Sequence, residues 1–308
     1  MLLSGILFVV LACEMVLLSW IGSLLVGSGA PVYWVIAVLF FATCFWRSTF
    51  VLITFALSGG FRGRKVIAAF KTMAGEILVA LYLYSFAQVF VPVFYKMKAW
   101  LGLGVVAPRS GPVIVLVHGF VCNSGLWGGM FRHLRDTGFS RIHAVDLDPF
   151  YRSMTRSLTE FEASLSKIMQ LENAEGEVIL IGHSMGGVLA RVFQNRHPER
   201  VLAAISIGAP HAGTDLARLV STIEAGPARP DTRWLVEFNA AIAAERHTDL
   251  RPALNIWSDC DNIVYPQGNA ALNSGVDCRL NGLGHLHLAF SKRAMNPISE
   301  FIRKLGSH

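Results

Sequence analysis

The residues with the clearest chemical potential lie in GHSMGG at 182–187, where Ser184 stands in the pattern Gly-x-Ser-x-Gly. A serine hydroxyl is a weak nucleophile until a nearby base takes its proton, so its chemistry depends on a base and an acid to orient that base. SDCDNIVYP at 258–266 offers carboxylates at Asp259 and Asp261, and GLGHLHL at 282–288 offers imidazoles at His285 and His287. Upstream, HGF at 118–120 ends a strongly apolar run, where a backbone N–H could join that of Met185 in stabilising an oxyanion. Alone, the pentapeptide equally describes an ordinary glycine-rich turn. Four separate elements in the order expected for nucleophile, acid and base make coincidence a poor explanation.

Such side chains need a scaffold that delivers them to one edge. VIVLV at Val113–Val117 is a continuous β-branched run that reads as a buried strand. Further short apolar runs at 142–145, 178–181, 201–207 and 254–257 alternate with helix-like stretches at 157–170 and 188–195. That alternation predicts a mostly parallel sheet covered on both faces. Glycines on either side of Ser184 suit a sharp strand-to-helix turn, and the helix that follows aims free N–H groups at the hydroxyl.

The chain has 308 residues, 53% hydrophobic and 16% charged, with a net charge of +6. This excludes a disordered protein, and the aliphatic excess predicts that part of the chain sits in lipid. Residues 1–100 hold seven basic and two acidic residues, so that stretch carries +5 and the remainder +1. With no basic block interleaved with aromatics in the remainder, nucleic acid is not an expected partner.

Three apolar stretches, about 2–26, 32–57 and 73–95, are each long enough to cross a bilayer. Glu14 costs the first about 3 kcal/mol, which a dozen aliphatic and Phe residues at about 0.3–0.6 each offset. Glu14, Arg47, Glu76 and Gln88 are expected to face other helices or the interface. The start lacks the basic residues of a signal peptide and its apolar run continues past Cys13, so it reads as an uncleaved helix. The basic FRGRK at 61–65 and Lys71 predict a cytoplasmic loop. Three crossings then place the C-terminal domain on the periplasmic or extracytoplasmic side of a bacterial inner membrane; a re-entrant second segment would reverse this. The apolar bundle could also serve association between copies of the chain.

From about residue 113 to the C-terminus the chain resembles the α/β-hydrolase superfamily, specifically its bacterial lipases and esterases. HGFVCNSGLW, GHSMGGVLAR, GAPHAGT, SDCDNIVYP and GLGHLHL carry the resemblance. It implies an α/β-hydrolase fold with helices on both faces of the sheet, and the long apolar segment at about 211–252 is a candidate helical cap. The catalytic domain would span 101–308, behind a helical transmembrane region at 1–100. The resemblance makes Ser184 the nucleophile and His285 the general base and then acid. Asp261 would orient the imidazolium, and Phe120 and Met185 would donate the oxyanion-hole amides. Asp261 is preferred because D-x-x-V-x-P begins there, with Asp259 as its competitor. The implied substrate is a lipid or other acyl ester, Phe120 fits medium or long acyl chains, and no cofactor or metal is implied.

The remaining candidates have structural readings. His118, His183 and His211 are expected to support loops, and Asp146 and Asp148 to serve a loop or helix cap. Cys13 and Cys44 fall in membrane helices, and Cys122 falls in the oxyanion-side loop. Cys260 and Cys278 would be bridged or free with even weight. The amphipathic 211–252 segment reads equally as a cap or as helices packed on the sheet. Three activities fit: a membrane-anchored ester hydrolase, an acyltransferase on the same triad, and a silent membrane scaffold.

Overall fold

The structure, a computed structural model, describes residues 2–60, 66–100, 111–147, 154–172, 178–216, 252–272 and 275–306. Two helices open the chain, α1 (Leu2–Gly27) and α2 (Val32–Leu57), turned back on each other through Gly29 at φ 93°. The third apolar run begins at Val66 rather than Met73. It comprises α3 (Val66–Tyr82), a π-helical turn at Leu83–Ala87 and α4 (Gln88–Trp100). All three runs are long and apolar enough to cross a membrane. Large side chains such as Phe8, Tyr33, Trp34, Phe41 and Trp46 point outward from them.

Charged groups in such helices need partners. Arg47 pairs with Glu14 across α1 and α2, and its Nη1 donates to Ser85 Oγ at 2.8 Å. Glu76 departs from the expectation of a helix partner, because its carboxylate is bound by backbone amides of the C-terminal domain.

Among the described residues that domain holds a six-stranded parallel sheet of β1 (Val113–Val117), β2 (Ile142–Val145), β3 (Val178–His183), β4 (Val201–Ile207), β5 (Ala253–Ser258) and β6 (Val276–Leu280). Its order is β2-β1-β3-β4-β5-β6, so chain reversals are bridged by crossovers. Alternate residues serve opposite faces. Val113, Val115 and Val117 pack with α6 (Met154–Leu171) and α7 (Met185–Arg196) through Phe161, Leu165, Leu189 and Phe193. Ile114 and Leu116 join the other core, with α5 (Gly128–Asp136), α8 (His285–Phe290) and α9 (Lys292–Leu305).

The second core does not stop at the domain edge. Val51 and Phe55 of α2, Ala80 of α3, and Leu83 and Ala87 of the π turn belong to it. Burying a side chain such as Phe55 is worth about 1.5–3 kcal/mol, so the apolar helices and the sheet stabilise one another. Of the expected cap, only residues 211–216 and 252 are among those described.

Candidate active site

Ser184 sits between β3 and α7 at φ 54° and ψ −126°, a conformation that non-glycine residues rarely hold. The crowding that enforces it is visible at the neighbouring glycines. A Cβ on Gly182 would fall on the carbonyl of Gly186, and one on Gly186 would fall on that of Val117. The Ser184 N–H donates to Ile207 O at 2.8 Å, pinning the turn to the end of β4. Met185 is the first residue of α7, so its N–H has no acceptor within the helix and stands beside the hydroxyl-bearing residue.

The turn after β1 approaches from the other side. Gly119 lies against Ser184, where an added Cβ would meet Ser184 Cβ at 2.8 Å and His183 O at 3.0 Å. Phe120 follows, and Val121 takes φ 52°. A β-branched residue at positive φ is a second strained position in the same neighbourhood. Asn123 fixes the loop beyond. Its Nδ2 donates to Gln88 O at 2.8 Å and Ser4 Oγ at 3.1 Å, and its Oδ1 accepts from Gly125 N at 2.9 Å.

Asp261 and His285 are brought together after β5 and β6. Asp261 Oδ2 lies 2.8 Å from His285 Nδ1, and Oδ1 accepts from the amides of Ile263 and Val264, each at 2.8 Å. Asp259 is not part of this contact; it faces Arg279 at 3.5 Å and the Cys260 thiol at 3.1 Å. His287 is turned away from the acid, its ring packed on Gly75 of α3. Burial acts to lower the His285 pKa, but the charge and hydrogen bond of Asp261 outweigh it and raise the pKa above the ordinary 6.5.

The surrounding histidines do support loops. His183 donates from Nε2 to the carbonyl of His285 at 3.1 Å, and burial pushes its pKa down to about 3, so it braces the loop as a neutral ring. His118 bridges Gly119 O at 2.8 Å and Leu147 N at 3.0 Å, with its pKa likewise lowered by burial. His211 lies 3.1 Å from Ser206 Oγ, and burial lowers its pKa to about 3. Asp146 accepts from Ser124 N at 2.7 Å, a loop role; Asp148 lies outside the described residues. Cys260 and Cys278 are not joined by a disulfide, and Cys260 Sγ accepts from Gly282 N at 3.2 Å, so the bridged alternative is not the one adopted. Burial pushes the Cys122 thiol up to about 12, which leaves it inert. Among the described residues no group of three His, Cys, Asp or Glu is gathered for a metal.

Residues 112–229 match the family model of the alpha/beta hydrolase fold. The mature lipase BlEst2 of Bacillus licheniformis superposes with a TM-score of 0.51 over 65% of this chain and 93% of that one, at 18% identity. The C-terminal domain has the α/β-hydrolase fold. This domain is also similar to a pimeloyl-[acyl-carrier protein] methyl ester esterase of Yersinia enterocolitica, 39% identical over 97 residues, which are 30% of this chain and 35% of the esterase. The lipase LipV of Mycobacterium tuberculosis is 29% identical over 163 residues, 52% of this chain and 61% of the lipase. Both of these sequence matches span less than two thirds of the relative's own length.

Sequence motifs pointed to Ser184, Asp261 and His285 but not to the residues that hold their loops. Asn262 accepts from the His285 N–H at 3.0 Å and donates to Thr54 Oγ1 of α2 at 2.8 Å. Asn123 and Glu76 do the same for the loops after β1 and β6. No local pattern marks them, since each acts across a long sequence separation.

Proposed function

We propose that the protein is a membrane-anchored serine hydrolase of lipid or other acyl esters. The observation that carries this reading is the 2.8 Å contact of Asp261 Oδ2 with His285 Nδ1, in a domain that also holds Ser184 in a strained turn. Ser184 attacks the acyl carbon as His285 takes its proton, and the same imidazolium then protonates the leaving alcohol. The tetrahedral oxyanion is held by the N–H groups of Phe120 and Met185, each worth about 3–4 kcal/mol. Water then resolves the acyl-enzyme by the reverse proton path. Asp261 stays ionised and stabilises the imidazolium.

Membrane attachment is supported by the outward-facing apolar side chains of α1–α4 and by the Glu14–Arg47 pair. An acyl ester drawn from the bilayer fits a hydrolase whose catalytic loops rest on these helices. Two observations favour a hairpin of α1 and α2 as the crossing element, with α3 staying beside the hydrolase domain. Both free ends of the hairpin meet that domain, through Ser4 with Asn123 and Thr54 with Asn262, and the middle of α3 is covered by α8. FRGRK at 61–65 follows the same end of α2, so the positive-inside rule puts the hydrolase on the cytoplasmic side, the reverse of the three-crossing expectation. C-terminal fluorescent-protein and alkaline phosphatase fusions distinguish the two: fluorescence alone supports the hairpin, and phosphatase activity alone supports three crossings.

Turnover of p-nitrophenyl esters and phospholipids of graded chain length, by the full-length protein in lipid, tests the activity. Hydrolysis lost in Ser184→Ala and His285→Ala is expected. Equal turnover by Ser184→Ala and wild type would overturn the reading.

A further inference from the structure

α8 is six residues long and begins at His285, so the position of the imidazole is set by how its first turn is held. The first amides of a helix have no acceptor within it and must find one elsewhere. The His285 N–H goes to Asn262 Oδ1 at 3.0 Å. The next two amides both go to a single side chain from another part of the chain. Leu286 N–H donates to Glu76 Oε1 and His287 N–H to Glu76 Oε2, each at 2.8 Å. Glu76 lies on α3, 1% exposed, 210 residues away in sequence from Leu286.

The fit around this carboxylate is close on both sides. A Cβ on Gly284 would stand 2.6 Å from Glu76 Cδ, and a Cβ on Gly75 would stand 2.8 Å from His287 Nδ1. Glycine at both places lets α3 and the start of α8 approach until the carboxylate reaches two amides at once. A carboxyl group whose two oxygens each accept an N–H in a dry site makes a bidentate contact that fixes orientation as well as distance. It acts on the segment that also receives Asp261 at Nδ1 and His183 at the His285 carbonyl.

We propose that Glu76 is a positioning residue for His285, so that the apolar N-terminal helices complete the active site as well as anchoring it. Its catalytic consequence rests on the ester-hydrolase reading. Without Glu76 the two amides lose their acceptors, the first turn of α8 loosens, and the imidazole is held only by Asp261, Asn262 and His183. A displacement of the base by about 1 Å costs on the order of a hundredfold in rate without changing substrate binding.

The test uses the full-length protein in lipid and two readouts. Hydrogen–deuterium exchange of the peptide covering 283–290 is compared in wild type, Glu76→Gln and Glu76→Ala, and steady-state hydrolysis of a p-nitrophenyl ester is measured on the same preparations. Expected are faster exchange confined to 283–290 and a kcat lower by about 10- to 100-fold in Glu76→Ala, with KM within about twofold. Glu76→Gln, which keeps one acceptor oxygen and the side-chain length, should recover part of both. Unchanged exchange, or a kcat equal to that of an active wild type, would overturn the proposal. A fall in kcat matched by an equal fall in folded protein, with normal exchange in the folded fraction, would also overturn it. A wild type without turnover would count against the hydrolase reading, and the exchange comparison would still decide whether Glu76 holds the loop.

Discussion

Asp261 presents one carboxylate oxygen to His285 Nδ1 at 2.8 Å, while its other oxygen is occupied by the Ile263 and Val264 amides. The carboxylate is thus held by groups other than the imidazole, and of the two neutral tautomers only the one with the proton on Nδ1 satisfies the contact. Asp261→Asn should lower kcat by about 10⁴-fold, because the amide favours the wrong tautomer. Asp259→Asn should keep kcat within about threefold, since Asp259 faces Arg279 at the surface. Ester hydrolysis by the two purified variants checks this, and equal losses would assign the acid wrongly.

The acidic limb of the activity profile should follow the same pair. Asp261 raises the His285 pKa against the opposing effect of burial, so wild-type kcat/KM should fall off below a pH higher than that of a free imidazole, 6.5. Removing the carboxylate leaves burial opposed only by the charge of Glu76. The limb of the residual activity in Asp261→Asn should therefore move to lower pH, and a limb that stays or rises would contradict the cause assigned here.

Asn262 joins the base loop to α2. Its Oδ1 accepts from the His285 amide and its Nδ2 reaches Thr54 Oγ1, both groups buried. Asn262→Leu leaves a buried amide without an acceptor, at a cost of about 1–3 kcal/mol. Urea or thermal unfolding in detergent should show that loss together with a lower kcat, whereas Thr54→Val should cost less, since it removes only the partner of Asn262 Nδ2 and leaves the His285 amide its acceptor.

Glu14 and Arg47 make a pair between apolar helices, each with side-chain exposure below one fifth, and Arg47 also holds Ser85. Glu14→Leu alone leaves Arg47 unbalanced and should destabilise by about 3–5 kcal/mol, while Glu14→Leu with Arg47→Leu should restore most of it. Thermal midpoints in detergent measure the difference; additive losses would mean that the two charges do not act as a pair.

Much of this arrangement was legible in the sequence because its causes are local. Five of the six described strands announce themselves as short apolar runs, and the glycines of GHSMGG are dictated by carbonyls a few residues away or on the adjacent β1. β6 was missed because Val276–Leu280 is a half-exposed edge strand whose VDCRL carries no apolar run. α9 was passed over although Ala294, Met295, Ile298 and Ile302 follow helical spacing. Asp261 could be preferred over Asp259 only by motif, because a two-residue difference is decided by which carboxylate the β5 turn aims at His285. Nothing in α3 reveals that the partners of Glu76 are amides 210 and 211 residues later, in the C-terminal domain.

The central claim is that Ser184 is a nucleophile activated by His285. Incubating the full-length protein in lipid with a fluorophosphonate, then mapping the modified peptide by mass spectrometry, tests it most directly. The account predicts one adduct on Ser184, absent in Ser184→Ala and slowed by at least about a hundredfold in His285→Ala. A wild type that remains unmodified, or one labelled at another residue with Ser184 intact, would contradict it.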